Sequence, residues 1–164
     1  MARNDIKVVN NITPEATYTP IVSSGGVSTI LTGTPTKMGT VTTGNVLPMV
    51  DGDGTTTQRF AGLAKSDSSD TASAAGTVTL WIPLPGLVYS GVAKSASAAN
   101  TAALLAALFG KRVVFDLTST VWTIDTAASD AASNALCIIG GDYQTNTVYF
   151  SVSSGCTILS NITN

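Results

Sequence analysis

The sequence predicts a mainly β protein: one or more small β-barrel or sandwich lobes, one packed α-helix and an extended N-terminal arm. Three observations lead there. Short apolar runs recur along the chain, each closed by Gly, Asp, Ser or Pro, and several alternate with polar residues at period two. One stretch, Asn100 to Phe109, holds an unbroken run of strong helix formers. Residues 1–35 carry Pro14, Pro20, Pro35 and the Gly25-Gly26 pair, a composition unlike the rest.

Residues 1–35 begin with the apolar clip Ile6-Lys7-Val8-Val9. Proline removes a ladder donor and biases the residue before it to extended geometry, so the segment reads as an arm rather than a packed sheet. Its apolar content (Ile6, Val8, Val9, Tyr18, Ile21, Val22, Ile30, Leu31) is high for simple disorder. The arm is therefore expected to become ordered by adding a strand to a partner's edge. Deleting residues 1–20 is expected to leave the lobes folded.

Residues 36–95 read as a barrel-like lobe. Its strands are Val46 to Val50, Phe60 to Ala64, the alternation of Val78, Leu80 and Ile82 with Thr77, Thr79 and Trp81, and Leu87 to Val92. Asp51-Gly52-Asp53-Gly54 opens like a calcium loop, but Thr55-Thr56-Thr57-Gln58 follows where further carboxylate ligands belong. A hairpin turn, with glycine supplying positive φ, explains it without a metal. Ser66 to Asp70 and Ala72 to Gly76 read as a mobile loop.

Residues 96–164 hold the helix and a second set of strands, either as a lobe of their own or as one domain continuous with the preceding lobe. Asn100 is placed to cap the helix and Gly110 to end it, with Leu104, Leu105, Leu108 and Phe109 as the apolar stripe. Strand patterns follow at Val113 to Leu117, Trp122 to Ile124, Leu136 to Ile139 and Val148 to Val152, with Cys156, Ile158 and Leu159 as a last edge.

Composition narrows the function. Charged residues make up 11 % of the chain, against ~25 % in ordinary domains. A surface of hydroxyls, amides and small side chains is cheap to desolvate, as a subunit of an assembly requires. The net charge is −2 and the lysines and arginines are scattered, which disfavours nucleic acid as a partner. No run is long enough for a membrane helix, and no apolar export signal follows the N-terminus, so synthesis in a cytosol without export is expected. Cys137 and Cys156 are expected as free thiols, a disulfide formed after release from a cell being the alternative. With no histidine, a Ser-His-Asp or Cys-His nucleophile cannot be built, and zinc has no support. The single glutamate, Glu15, lies in the arm, and neither glycine pair fits a nucleotide fingerprint. No catalytic residue, cofactor or metal is expected, and the protein is read as a non-enzyme.

The order of elements resembles the lambda-type head decoration (cement) proteins of tailed phages. The resemblance rests on Leu47-Pro48-Met49-Val50-Asp51, Ala61-Gly62-Leu63-Ala64, Thr77-Val78-Thr79-Leu80-Trp81 and Gly86-Leu87-Val88-Tyr89. It covers about a third of the chain and stops before residues 96–164. It implies a structural virion protein on the outer capsid surface, bound to the major capsid protein as a homotrimer, with the arm ordered on the shell. The contact residues expected on that basis are Ile6, Lys7, Val8, Val9 and Tyr18. The alternative function is a receptor- or carbohydrate-binding module of a tail fibre or adhesin. Such a module calls for exposed loop aromatics or a repetitive stalk, and the sequence shows neither.

Overall fold

The computed structural model describes residues 6–9, 17–22, 29–39, 45–84, 86–153 and 156–157. In chain order the elements are β1 (Lys7–Val8), β2 (Thr17–Tyr18), β3 (Ile21–Val22), β4 (Pro35–Met38), β5 (Val46–Pro48), β6 (Phe60–Ala64), β7 (Gly76–Thr77) and β8 (Leu80–Trp81). Then come β9 (Tyr89–Val92), α1 (Ala102–Ala107), β10 (Arg112–Thr118), β11 (Val121–Asp125), β12 (Leu136–Asp142) and β13 (Thr147–Val152). Among the described residues the protein is mainly β, with two curled sheets and one short helix.

The seven-stranded sheet runs β2-β8-β6-β4-β5-β3-β7. Its ends meet, because β2 continues into β3 through Thr19-Pro20 and β7 into β8 through Val78-Thr79. Pro20 has no N–H to give, but its carbonyl accepts the Val78 N–H at 3.3 Å and carries the ladder across the break. The period-two run expected as one strand from Thr77 is thus divided into β7 and β8. Taken as staves, the first (β2/β3) lies antiparallel to the fifth (β7/β8), then come the fourth (β6), second (β4) and third (β5). The third returns to the first in parallel, with Val22 opposite Val46.

The six-stranded sheet repeats this order. Its first stave (β9) lies antiparallel to the fifth (β13), followed by the fourth (β12), second (β10) and third (β11). Here too the third returns to the first in parallel, through the bridge Ala93 to Ile124. The registers superpose: Tyr18 faces Leu80 as Tyr89 faces Phe150, and Met38 faces Val46 as Phe115 faces Ile124. Equivalent inward positions are buried in both, as at Val46 and Ile124, Val78 and Val148, and Leu80 and Phe150. Two barrels of one topology stand in tandem, and β1 is added to β9 of the second.

The barrels are joined by a common core. Met49, Phe60 and Leu63 leave the first sheet to pack with Tyr89, Phe115, Trp122 and Phe150 of the second. Phe60 meets Tyr89 edge-on at 5.7 Å and stacks on Phe115 at 6.1 Å, geometries that aromatic quadrupoles favour. The Asp51-Gly52-Asp53-Gly54 turn clasps this seam. Gly52 N–H donates to Phe115 O, Phe115 N–H to Asp53 O, and Leu117 N–H to the Asp51 carboxylate. Gly52 and Gly54 have φ of 77° and 105°, as the turn reading requires.

Several expectations are corrected. The described parts of residues 1–35 are extended, yet they pair within this chain: Thr17–Val22 forms a stave, and Ile6 is buried in the common core. β9, grouped by sequence with residues 36–95, belongs to the sheet formed by the later strands. The helix is capped by Thr101, whose hydroxyl accepts the Leu104 N–H, not by Asn100. Leu105 is buried beside Gly141 and Leu108 packs half-buried against the same core, while Leu104 and Phe109 stay exposed. The Ser66 to Asp70 segment is tied down. Asp70 accepts from the Thr29 N–H and hydroxyl and from the Ser68 hydroxyl, and Ser68 and Asp70 are both buried. Cys137 (half-buried) and Cys156 (buried) are free thiols. Ile158 and Leu159 lie outside the described residues.

Candidate functional site

A cleft of about 340 Å³ opens where β1 faces the first barrel, at the lower end of the size range of small-ligand pockets. Its walls are Ile6, Lys7 and Val8 on one side and Leu63, Ala64, Lys65 and Trp81 on the other, with Thr32 and Gly33 at one end. Each wall is fixed by the ladder. β1 is held with Lys7 opposite Ser90 and Val8 opposite Tyr89, and the Val9 N–H donates to Val88 O at 2.7 Å. Leu63 sits opposite Trp81 in the first barrel. The Thr32-Gly33 turn is set by Gly33 N–H to Ala64 O at 2.8 Å, with φ of 82° at Gly33.

The ionisable groups of the lining are two ammonium groups, Lys7 and Lys65. The Lys65 Nζ lies 4.7 Å from the Trp81 ring centroid, a cation–π contact. Asp67 stands behind the Thr32 end, accepting the Thr32 N–H at 2.7 Å and its hydroxyl at 2.8 Å. Those hydrogen bonds, the backbone one first, hold its carboxyl below the usual carboxylate range. The lining is suited to holding an apolar or anionic group by contact. Among the described residues, no three His, Cys, Asp or Glu side chains are grouped to hold a metal ion.

The residues expected to contact a partner are spread over four situations. Ile6 is 2 % exposed, touching the cleft but turned inward, because Gly91 leaves room for its Cδ1 beside Ile124. Val8 is half-buried against the same core. Lys7 and Val9 are exposed. Tyr18 is half-buried in the first barrel, its hydroxyl donating to Ala61 O at 2.8 Å, and burial pushes its pKa up to about 12. The structure therefore brings Ile6, Lys7 and Val8 together at the cleft and places Tyr18 elsewhere.

Trp81, which the sequence places on a strand, packs half-buried against the common core and forms a wall of this cleft. Lys65 and the Thr32-Gly33 turn carried no signal, since their place depends on a distant β1. Of the two buried carboxylates near the seam, Asp53 pairs with Lys37 at 2.6 Å and accepts the Val50 N–H. Asp116 pairs with Lys94 and accepts from the hydroxyls of Thr118 and Thr123. Both are satisfied ion pairs of the fold. No protein-family model, curated protein or solved structure matches this chain.

Proposed function

We propose that this chain is a structural virion protein that decorates and stabilises the outer surface of an icosahedral phage capsid, binding the major capsid protein as a homotrimer. The observation that carries this reading is an outward apolar strip on the first barrel. Ile21 (54 % exposed), Leu47 (41 %) and Val50 (54 %) stand on or just beyond the neighbouring strands β3 and β5. The strip lies in a chain with 11 % charged residues, so covering it removes apolar area from water without stripping ions. The segment Leu47 to Asp51 is also the first of those that resemble the decoration proteins. Catalysis has no part in the proposal.

The test is to add purified protein to undecorated heads and measure bound copies per coat subunit on a stained gel. A fixed, symmetric ratio is expected, and Leu47→Asp with Val50→Asp should lower occupancy at least tenfold while leaving the melting temperature near that of the parent. Unchanged occupancy by the double variant would remove the strip as the contact. No binding of the parent would sink the reading. The second reading, a carbohydrate- or receptor-binding module, draws on Trp81 and Lys65 in the cleft. Saturable quenching of tryptophan fluorescence by a glycan, absent in Trp81→Ala, would favour it.

A further inference from the structure

One position in the shared register is filled in the second barrel and, among the described residues, bare in the first. β1 lies on β9 with Lys7 opposite Ser90, and the Val9 N–H bonds Val88 O. Hydrogen bonding alternates along an antiparallel strand, so Val88 and Ser90 turn their backbone groups toward β1. Their equivalents in the first barrel are Thr17 and Thr19, on either side of Tyr18, as Val88 and Ser90 flank Tyr89. There the Val78 N–H bonds Pro20 O. Tyr18, Pro20 and Val22 therefore face the β7/β8 side, and Thr17 and Thr19 turn theirs away from it. Among the described residues nothing bonds Thr17 or Thr19 on that side. Burial carries the same signature: Tyr89 under β1 is 1 % exposed, Tyr18 is half-buried and Thr19 is exposed.

We infer that the Thr17–Thr19 edge is a seat for an extended strand of the partner protein, laid antiparallel as β1 is laid on β9. β1 shows the chemistry such a strand needs. Ile6 turns inward and is buried, Lys7 turns out, and Val8 is half-buried against the core, so the occupant is an apolar–polar–apolar tripeptide in β conformation. A second copy's β1 does not serve. Among the described residues each chain has two such edges and one such strand, and lending it would strip Ile6 from the lender's core. Identifying the partner with the coat protein rests on the decoration reading; the seat itself rests on the register.

The probe is an end-blocked peptide with this chain's own sequence Asp-Ile-Lys-Val-Val-Asn, titrated into the nitrogen-15-labelled full chain. Saturable shifts of the Thr17 and Thr19 amides are expected, with exchange at Thr19 slowed at least tenfold. The same peptide N-methylated at its lysine, whose N–H must face the edge, should leave both amides unmoved. Thr19→Pro, which deletes an N–H that the barrel's own ladder does not use, should abolish the response. The methylated peptide keeps the test valid if that variant does not fold. Silent Thr17 and Thr19 amides, or equal responses to both peptides, would overturn the inference. Heads occupied by the parent while the edge stays silent would sink the seat and leave decoration standing. A responsive edge on a protein that ignores heads would support the seat and sink decoration.

Discussion

Tyr18 and Tyr89 hold the same register position in two different barrels, yet their hydroxyls meet different fates. The Tyr18 hydroxyl donates to Ala61 O, whereas the buried Tyr89 hydroxyl has no partner among the described residues. The carbonyl matching that of Ala61 belongs to Ala135, and it accepts the Ser153 N–H at 2.9 Å. Tyr89 instead stacks on Phe150 at 5.6 Å, and burial pushes its pKa far up. Tyr18→Phe should cost about 1 kcal/mol, the usual net worth of a hydrogen bond, while Tyr89→Phe should be neutral or stabilising. Urea melts of the two variants check the difference in sign.

Ile6 ties the N-terminal strand to the common core. Ile6→Ala should destabilise by about 2–4 kcal/mol, through lost transfer energy and the cavity left beside Gly91 and Ile124. Deleting residues 1–20 should do more, since it also removes half of a barrel stave. A truncated protein that melts with the parent would show that neither piece matters to the fold.

The helix offers a contrast between neighbours. Leu105 is 6 % exposed and Leu104 is 43 % exposed. Leu105→Asp places an unpaired charge against β12 and should cost about 3 kcal/mol or more. Leu104→Asp should change stability by less than about 0.5 kcal/mol, as surface substitutions usually do. Thermal melts decide it.

Acid should loosen the fold through Asp116 and Asp70. Burial alone would raise both carboxyls, but hydrogen bonds outweigh it: from Lys94, Thr118 and Thr123 to Asp116, and from Ser68 and Thr29 to Asp70. Both pKa values therefore sit below their unfolded values. Their stabilisation is complete above the ordinary carboxylate pKa of about 4 and fades as pH falls through the depressed folded values. Asp116→Asn should cost about 1–3 kcal/mol at neutral pH and flatten the acid limb. A parent whose stability stays constant from neutral pH down to about 2 would refute this.

The strands of the second barrel were legible because Val113, Phe115, Trp122, Ile124, Val148 and Phe150 are buried and recur at period two, broken in burial only at Asp116, whose carboxylate is buried in its ion pair with Lys94. The duplication was not. Register is a property of pairing: Thr36 matches Val113 and Gly62 matches Leu136, chemically unlike pairs. Connections of unequal length also shift the spacing from stave to stave, so no fixed period appears. The arm was misread because its prolines argue against a sheet interior, while Pro20 sits at the break between β2 and β3, where its carbonyl still accepts the Val78 N–H and carries the ladder on. The cleft could not be foreseen, since it needs β1 to reach β9 across the whole first barrel.

That crossing sets an order of assembly. During synthesis Lys7 emerges well before Ser90, its ladder partner, and the staves from Thr17 to Trp81 are complete before β9 exists. The first barrel can close on its own while the N-terminal strand waits in water. The strand docks only once the second barrel has formed, the late step that a contact of high sequence separation imposes. In the finished molecule the same strand should be the first to let go, with the Lys7 amide exchanging through a small local opening long before either barrel unfolds.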